Sequence, residues 1–166
     1  MLKKLLAAMN RLYPSPDLAP YTTASAPVWV NGEERTALLY ALLYLPEFVE
    51  VEGSILQTFF VLNAEEFPKS FIEAKNEKKN PLHELEDSFN YVETSYIWGS
   101  VKAGDHLTDE DDKLFAECVA EAWRGRLALL YPTRRFKVSV ITPPESGDAY
   151  GVSFHELRQE TPSLKS

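Results

Sequence analysis

Three histidines, one cysteine, and clusters of carboxylates and guanidiniums are the side chains of this chain that could do chemistry. His83, His106 and His155 lie far apart, and neither His-Glu-x-x-His nor Cys-x-x-Cys spacing occurs. The local patterns that build zinc sites are therefore absent. His83 with Glu84, Glu86 and Asp87 gathers metal-capable donors in one short stretch, but it reads as polar decoration of a loop. His155 and Glu156 are neighbours on a predicted strand and so point to opposite faces. In the run from Asp105 to Asp112, the mid-loop glycine that an EF-hand calcium loop requires is missing. These acids read as the start of a helix. No metal and no cofactor are expected.

Nucleophilic chemistry finds no local motif either. Gly-x-Ser-x-Gly and Ser-x-x-Lys are absent, as are the glycine-rich loops that cradle phosphates. Cys118 lies between Leu114 and Ala122 at an apolar helix position, where a thiol acts as a small core filler with a raised pKa.

Two charge patterns remain. Arg124, Arg126, Arg134, Arg135 and Lys137 crowd a helix-to-strand junction. Such charge complements a helix C-terminus; as a functional site, Arg124, Arg134 and Arg135 would hold a carboxylate or phosphate. The second pattern is a scatter of acids, Glu47, Glu50, Glu52, Glu65, Glu66, Glu73, Glu84, Glu86 and Asp87. Converging, they would make an acidic face for a basic protein, with Glu47, Glu50 and Glu52 as the partner-binding set. The overall balance agrees, with 25 acidic against 17 basic residues and a net charge of −8. That charge disfavours nucleic acid and anionic membranes and serves solubility.

The elements that position these groups follow from periodicity. Leu2, Leu5, Leu6, Met9 and Leu12 predict an amphipathic helix over 2–13. Four prolines over 14–27 predict an extended surface arm. Val28 to Val30 reads as a short strand. Residues 33–45 allow helix or strand; the Ala/Leu-rich, non-alternating stretch from Thr36 favours a helix ended by Pro46. Phe48–Glu52 alternates as a strand, Gly53-Ser54 turns, and Ile55–Leu62 is a more buried strand. Ala64–Lys75 reads as helix interrupted near Pro68, Asn76–Pro81 as a loop, Leu82–Phe89 as a short helix and Asn90–Val101 as a strand. The clearest element is 109–130. Thr108 and Asp111 make a capping box, four acids fill the first turn, and an apolar stripe runs from Leu114 to Leu130. Arg135–Thr142 and Tyr150–Leu157 read as closing strands, and 159–166 as a loose tail.

With 166 residues and 20 aromatics, the chain has the size and apolar content for one core. The expected fold is α+β: an antiparallel sheet of about five strands packed against the long helix 109–130, with additional N-terminal helices. Residues 1–158 form a single globular domain. The first residues imitate a signal peptide, but their apolar stretch is too short. The longest apolar run, Ala37 to Leu45, is half a membrane span. A cytoplasmic protein without a membrane segment is expected. The functional expectation is a non-enzymatic acidic binding protein, such as an inhibitor or immunity-type protein that neutralises a basic partner. The alternative is a small-molecule-binding or hydrolytic domain, with Tyr91, Tyr96 and Trp98 as an aromatic pocket wall and the arginines as anion anchor. Oligomeric state has no signature in the sequence.

Overall fold

The structure is a computed structural model that describes residues 40–58, 65–77, 79–94, 108–146 and 149–158. The predicted helix 2–13, the proline-rich arm 14–27, the strand 28–30 and the tail 159–166 lie outside the described residues. In chain order the elements are β1 (Phe48–Val51), β2 (Ser54–Gln57), α1 (Glu66–Glu77), α2 (Leu82–Phe89), β3 (Val92–Glu93), α3 (Asp109–Leu130), β4 (Phe136–Ile141), α4 (Pro143–Ser146) and β5 (Gly151–Glu156). A helical stretch at 40–44 precedes β1 and ends before Pro46, as its Ala/Leu content predicts. The fold is α+β with antiparallel pairing, and the long helix packs on strands.

The five strands among the described residues form two sheets rather than one: β1-β2, and β3-β5-β4. The division has a local cause. Strand β3 is two residues long and pairs only with Gly151 and Val152, which leaves the C-terminal half of β5 without a strand on that side. The Asn90 side chain enters there. Its amide donates to Phe154 O and to Ile55 O, both at 3.0 Å, and its Oδ1 accepts from Gln57 N at 2.8 Å. One buried side chain thus replaces a ladder between β2 and β5 and satisfies three backbone groups.

Strand β5 is buried along almost its whole length because helices cover both its faces. Val152 and Phe154 pack towards α3, where Trp123 meets Phe154 edge-on at 5.9 Å. Ser153 and His155 face α2. Gly151 has a specific reason: a Cβ there would lie 2.3 Å from the Tyr91 ring. Helix α3 begins as predicted, with the Thr108–Asp111 capping box formed. Trp123 is fully buried, and its Nε1 donates to Leu43 O at 2.8 Å, tying α3 to the stretch before β1.

A second apolar cluster, Val51, Leu56, Phe71 and Leu85, joins the β1–β2 hairpin to α1 and α2. Here two expectations are corrected. Helix α1 is unbroken from Glu66 to Glu77, because Pro68 falls in its first turn, where a backbone N–H has no helical partner to lose. The hairpin turn is Glu52-Gly53, with Val51 paired to Ser54. Both turn residues have positive φ, 45° and 81°, as a type I′ turn demands. Glu52 is held in that conformation by Lys75 of α1, whose Nζ donates to Glu52 O at 2.8 Å.

Candidate functional site

The hairpin, α1 and α2 carry most of the negative charge. Between residues 40 and 94 the sequence has eleven acids, four lysines and no arginine; between 108 and 158 it has nine acids and seven bases. Glu47, Glu50, Glu52, Glu65, Glu66, Glu73, Glu77 and Glu84 are all exposed. On α1, Glu66, Glu73 and Glu77 recur at seven and four residues, which aligns them in one stripe away from buried Phe71. The sequence-derived set Glu47, Glu50 and Glu52 falls on this lobe, but two of its members are engaged. Glu50 pairs with Arg134 at 3.4 Å and Glu52 with Lys75 at 3.3 Å. Glu52 also leaves the strand for the turn, so it does not continue the outward alternation of Glu50.

A row of ion pairs binds this lobe to the end of β5. Arg158 meets both carboxylate oxygens of Glu86 at 2.9 and 2.5 Å and lies 3.0 Å from Glu156. Arg134 meets Glu156 through Nε at 3.0 Å and Nη2 at 2.5 Å. Both arginines also donate to the carbonyl of Gly53 in the hairpin turn. Glu86 is 1% exposed. Burial pushes its pKa up, but hydrogen bonds from Arg158, Ser54 and the Glu156 amide outweigh burial and hold it below the ordinary carboxylate value. The pairs with Glu156 and Glu86 raise the pKa of Arg134 and Arg158 respectively, so both stay charged.

Behind this row lies a polar cluster that sequence spacing did not reveal. Asp87 Oδ2 is 2.7 Å from His155 Nδ1, and its Oδ1 accepts from the Ser153 hydroxyl at 2.9 Å. The His83 ring lies 5.5 Å from that of His155. Ser153, 1% exposed, turns its hydroxyl to Asp87 and not to the imidazole, so no serine–histidine nucleophile pair is assembled. His83 sits on helix α2 rather than a loop. Among the described residues, no group of three or more His, Cys, Asp or Glu side chains is placed to hold a metal ion.

The three arginines singled out from the sequence do come together. Arg124, Arg134 and Arg135 line one cleft of about 230 Å³. Leu127 and Ala128 of α3 and Phe136 and Val138 of β4 supply its apolar wall. The last turn of α3 carries no base, so helix-dipole compensation does not account for Arg124. Its Nη2 instead donates to Val138 O on the outer edge of β4 at 3.1 Å, and its Nη1 to Glu121 at 3.1 Å.

The remaining reactive candidates are quenched by their surroundings. Burial, with Glu117 nearby, raises the Cys118 thiol, which keeps it protonated at neutral pH. Burial, with Cys118 and Tyr40 beside it, pushes the Tyr44 phenol up to about 12. The proposed aromatic wall is only partly described: Tyr91 lies against Gly151, while Tyr96 and Trp98 lie outside the described residues. Among the described residues, no helix is long and apolar enough to cross a membrane. Comparison with protein-family models, with curated proteins and with solved structures finds no match to this chain.

Proposed function

We propose that this protein is a non-enzymatic binding protein whose acidic lobe, made of the hairpin, α1 and α2, engages a basic surface of a protein partner, in the manner of an inhibitor or immunity protein. The observation that carries this reading is the segregation of charge: eight exposed glutamates on the lobe, with three of them aligned along α1. Clustered like charge on a rigid scaffold steers an oppositely charged partner and rejects like-charged ones. The packed second core and the ion-pair row make the lobe a rigid scaffold of this kind. The hydrolytic alternative has less support, because Ser153 is buried and bonded to Asp87, and the Cys118 thiol is held protonated.

The test is affinity capture from the native organism with the wild type and with a Glu66→Lys/Glu73→Lys/Glu84→Lys variant, read by mass spectrometry. The reading predicts a protein with a basic surface retained by the wild type and lost from the variant. The same set of proteins on both columns contradicts it.

A further inference from the structure

We infer that the cleft between α3 and β4 binds a small apolar carboxylate, with Arg135 as its principal anchor. This inference concerns the cleft between α3 and β4 and does not depend on the reading of the acidic lobe.

The chemistry is set by what lines the cleft. Three arginines, Arg124, Arg134 and Arg135, share the lining with Leu127, Ala128, Phe136 and Val138, and no acid is among the lining residues. The guanidiniums are not equivalent. Arg134 is consumed by Glu156, Glu50 and Gly53 O, and it is wedged against the rings of Tyr131 and Phe136, each 5.9 Å away. Its charge is already met by two carboxylates, so it acts as a fixed wall and not as a free anchor. Arg124 is oriented by Val138 O and Glu121, with donors left over among its five N–H groups. Arg135 is exposed, and among the described residues its guanidinium has no hydrogen-bond or ion-pair partner. Its planar fork matches a carboxylate in bidentate geometry.

Size and polarity then choose the ligand. A cleft of about 230 Å³ falls below the roughly 300–1,000 Å³ of sites for drug-sized molecules, so the occupant is small. The apolar wall favours a ligand with a hydrocarbon body next to its charge, and disfavours a fully hydrated inorganic anion. Two sources supply such a group, a free organic acid and the C-terminal carboxylate of a peptide.

The experiment follows the backbone amide resonances of Arg135 and Phe136 in the full chain during titration. The probes are 3-phenylpropionate, N-acetyl-valyl-leucine, the C-terminal amide of that dipeptide, and inorganic phosphate. The expected result is saturable binding of at least one of the two carboxylates, with the dipeptide amide and phosphate each about tenfold weaker or worse. A tighter free acid identifies a metabolite-like source; a tighter dipeptide identifies a chain terminus. Arg135→Gln, at an exposed position, keeps the fold and lowers affinity about tenfold, while Arg135→Lys recovers only part of it, since an ammonium cannot reproduce the fork. The inference is overturned if neither carboxylate saturates, if phosphate binds as tightly as the acids, or if Arg135→Gln binds like the wild type.

Discussion

Glu86 and Arg158 face each other across two hydrogen bonds, Nη1 to Oε2 at 2.9 Å and Nη2 to Oε1 at 2.5 Å, with the carboxylate 1% exposed and the guanidinium 35%. Removing the cation would leave a buried carboxylate with only the Ser54 and Glu156 contacts. Arg158→Ala should therefore cost about 3 kcal/mol, the lower end for a broken buried pair because the guanidinium is partly hydrated. For a chain of this size that lowers the melting temperature by roughly 6–12 °C. A shift under 2 °C would show that the pair contributes no more than a surface salt bridge.

The same carboxylate gives a pH dependence of defined sign. Its folded-state pKa lies below the ordinary value of 4.5, so its stabilisation is fully present above that value and is lost as pH falls through the folded-state value. Asp112 acts in the opposite sense: burial, with Asp109 and Asp111 beside it, raises its pKa, so acidification relieves an unfavourable charge. The melting temperature of the wild type should drop as pH falls below about 4.5, and that drop should be smaller in Glu86→Gln. Parallel curves for the two proteins would assign acid lability to other groups.

Asn90 carries the join between the two sheets. Asn90→Ala leaves Gln57 N–H, Ile55 C=O and Phe154 C=O without their partner inside the core. At about 1–3 kcal/mol for each orphaned group, the loss should exceed roughly 3 kcal/mol in urea unfolding. Asn90→Asp should do no better, because a carboxylate cannot donate to the two carbonyls. A cost below about 1 kcal/mol would mean the sheets hold together without this side chain.

Much of the fold was legible where local rules suffice. Helix α3 announced itself through Thr108, Asp111 and the stripe from Leu114 to Leu130, all within one segment, although Leu130 at its end is exposed. The hairpin turn was legible to within one residue, moving to Glu52-Gly53 because Lys75, from a separate helix, stabilises a left-handed glutamate; the second strand, read as Ile55–Leu62, is Ser54–Gln57 and ends before Thr58, with 59–62 outside the described residues. Asn90 reads only as the first residue of the strand predicted over Asn90–Val101, because its three partners lie 33 to 64 positions away. Glu86, 72 positions from Arg158, looks like any other surface acid of a charged helix for the same reason. The arginine cleft was visible because its members crowd one junction, whereas the Asp87–His155–Ser153 cluster joins α2 to β5 across 66 to 68 positions and leaves no local spacing to detect.

Trp123 tests the main core. Trp123→Ala should cost about 3–5 kcal/mol, as for other fully buried large aromatics. Trp123→Phe keeps most of the volume but orphans Leu43 O, and should cost about 1–3 kcal/mol. Equal costs for the two variants would show that the hydrogen bond, not the packing, dominates.

The most direct test of the acidic-lobe account is the association rate constant with the captured partner, measured by stopped flow from about 0.01 to 0.5 M salt. The account predicts a rate that falls steeply with salt as the field's reach shrinks from about 30 Å at the lowest salt to less than 8 Å at the highest. Glu73→Lys and Glu84→Lys should each slow association severalfold at low salt and change dissociation little. Asp109→Lys, on the first turn of α3, should weaken the helix start by about 0.3–1 kcal/mol and leave association unchanged. Association that is independent of salt, or slowed equally by Asp109→Lys, would contradict recognition through the acidic lobe.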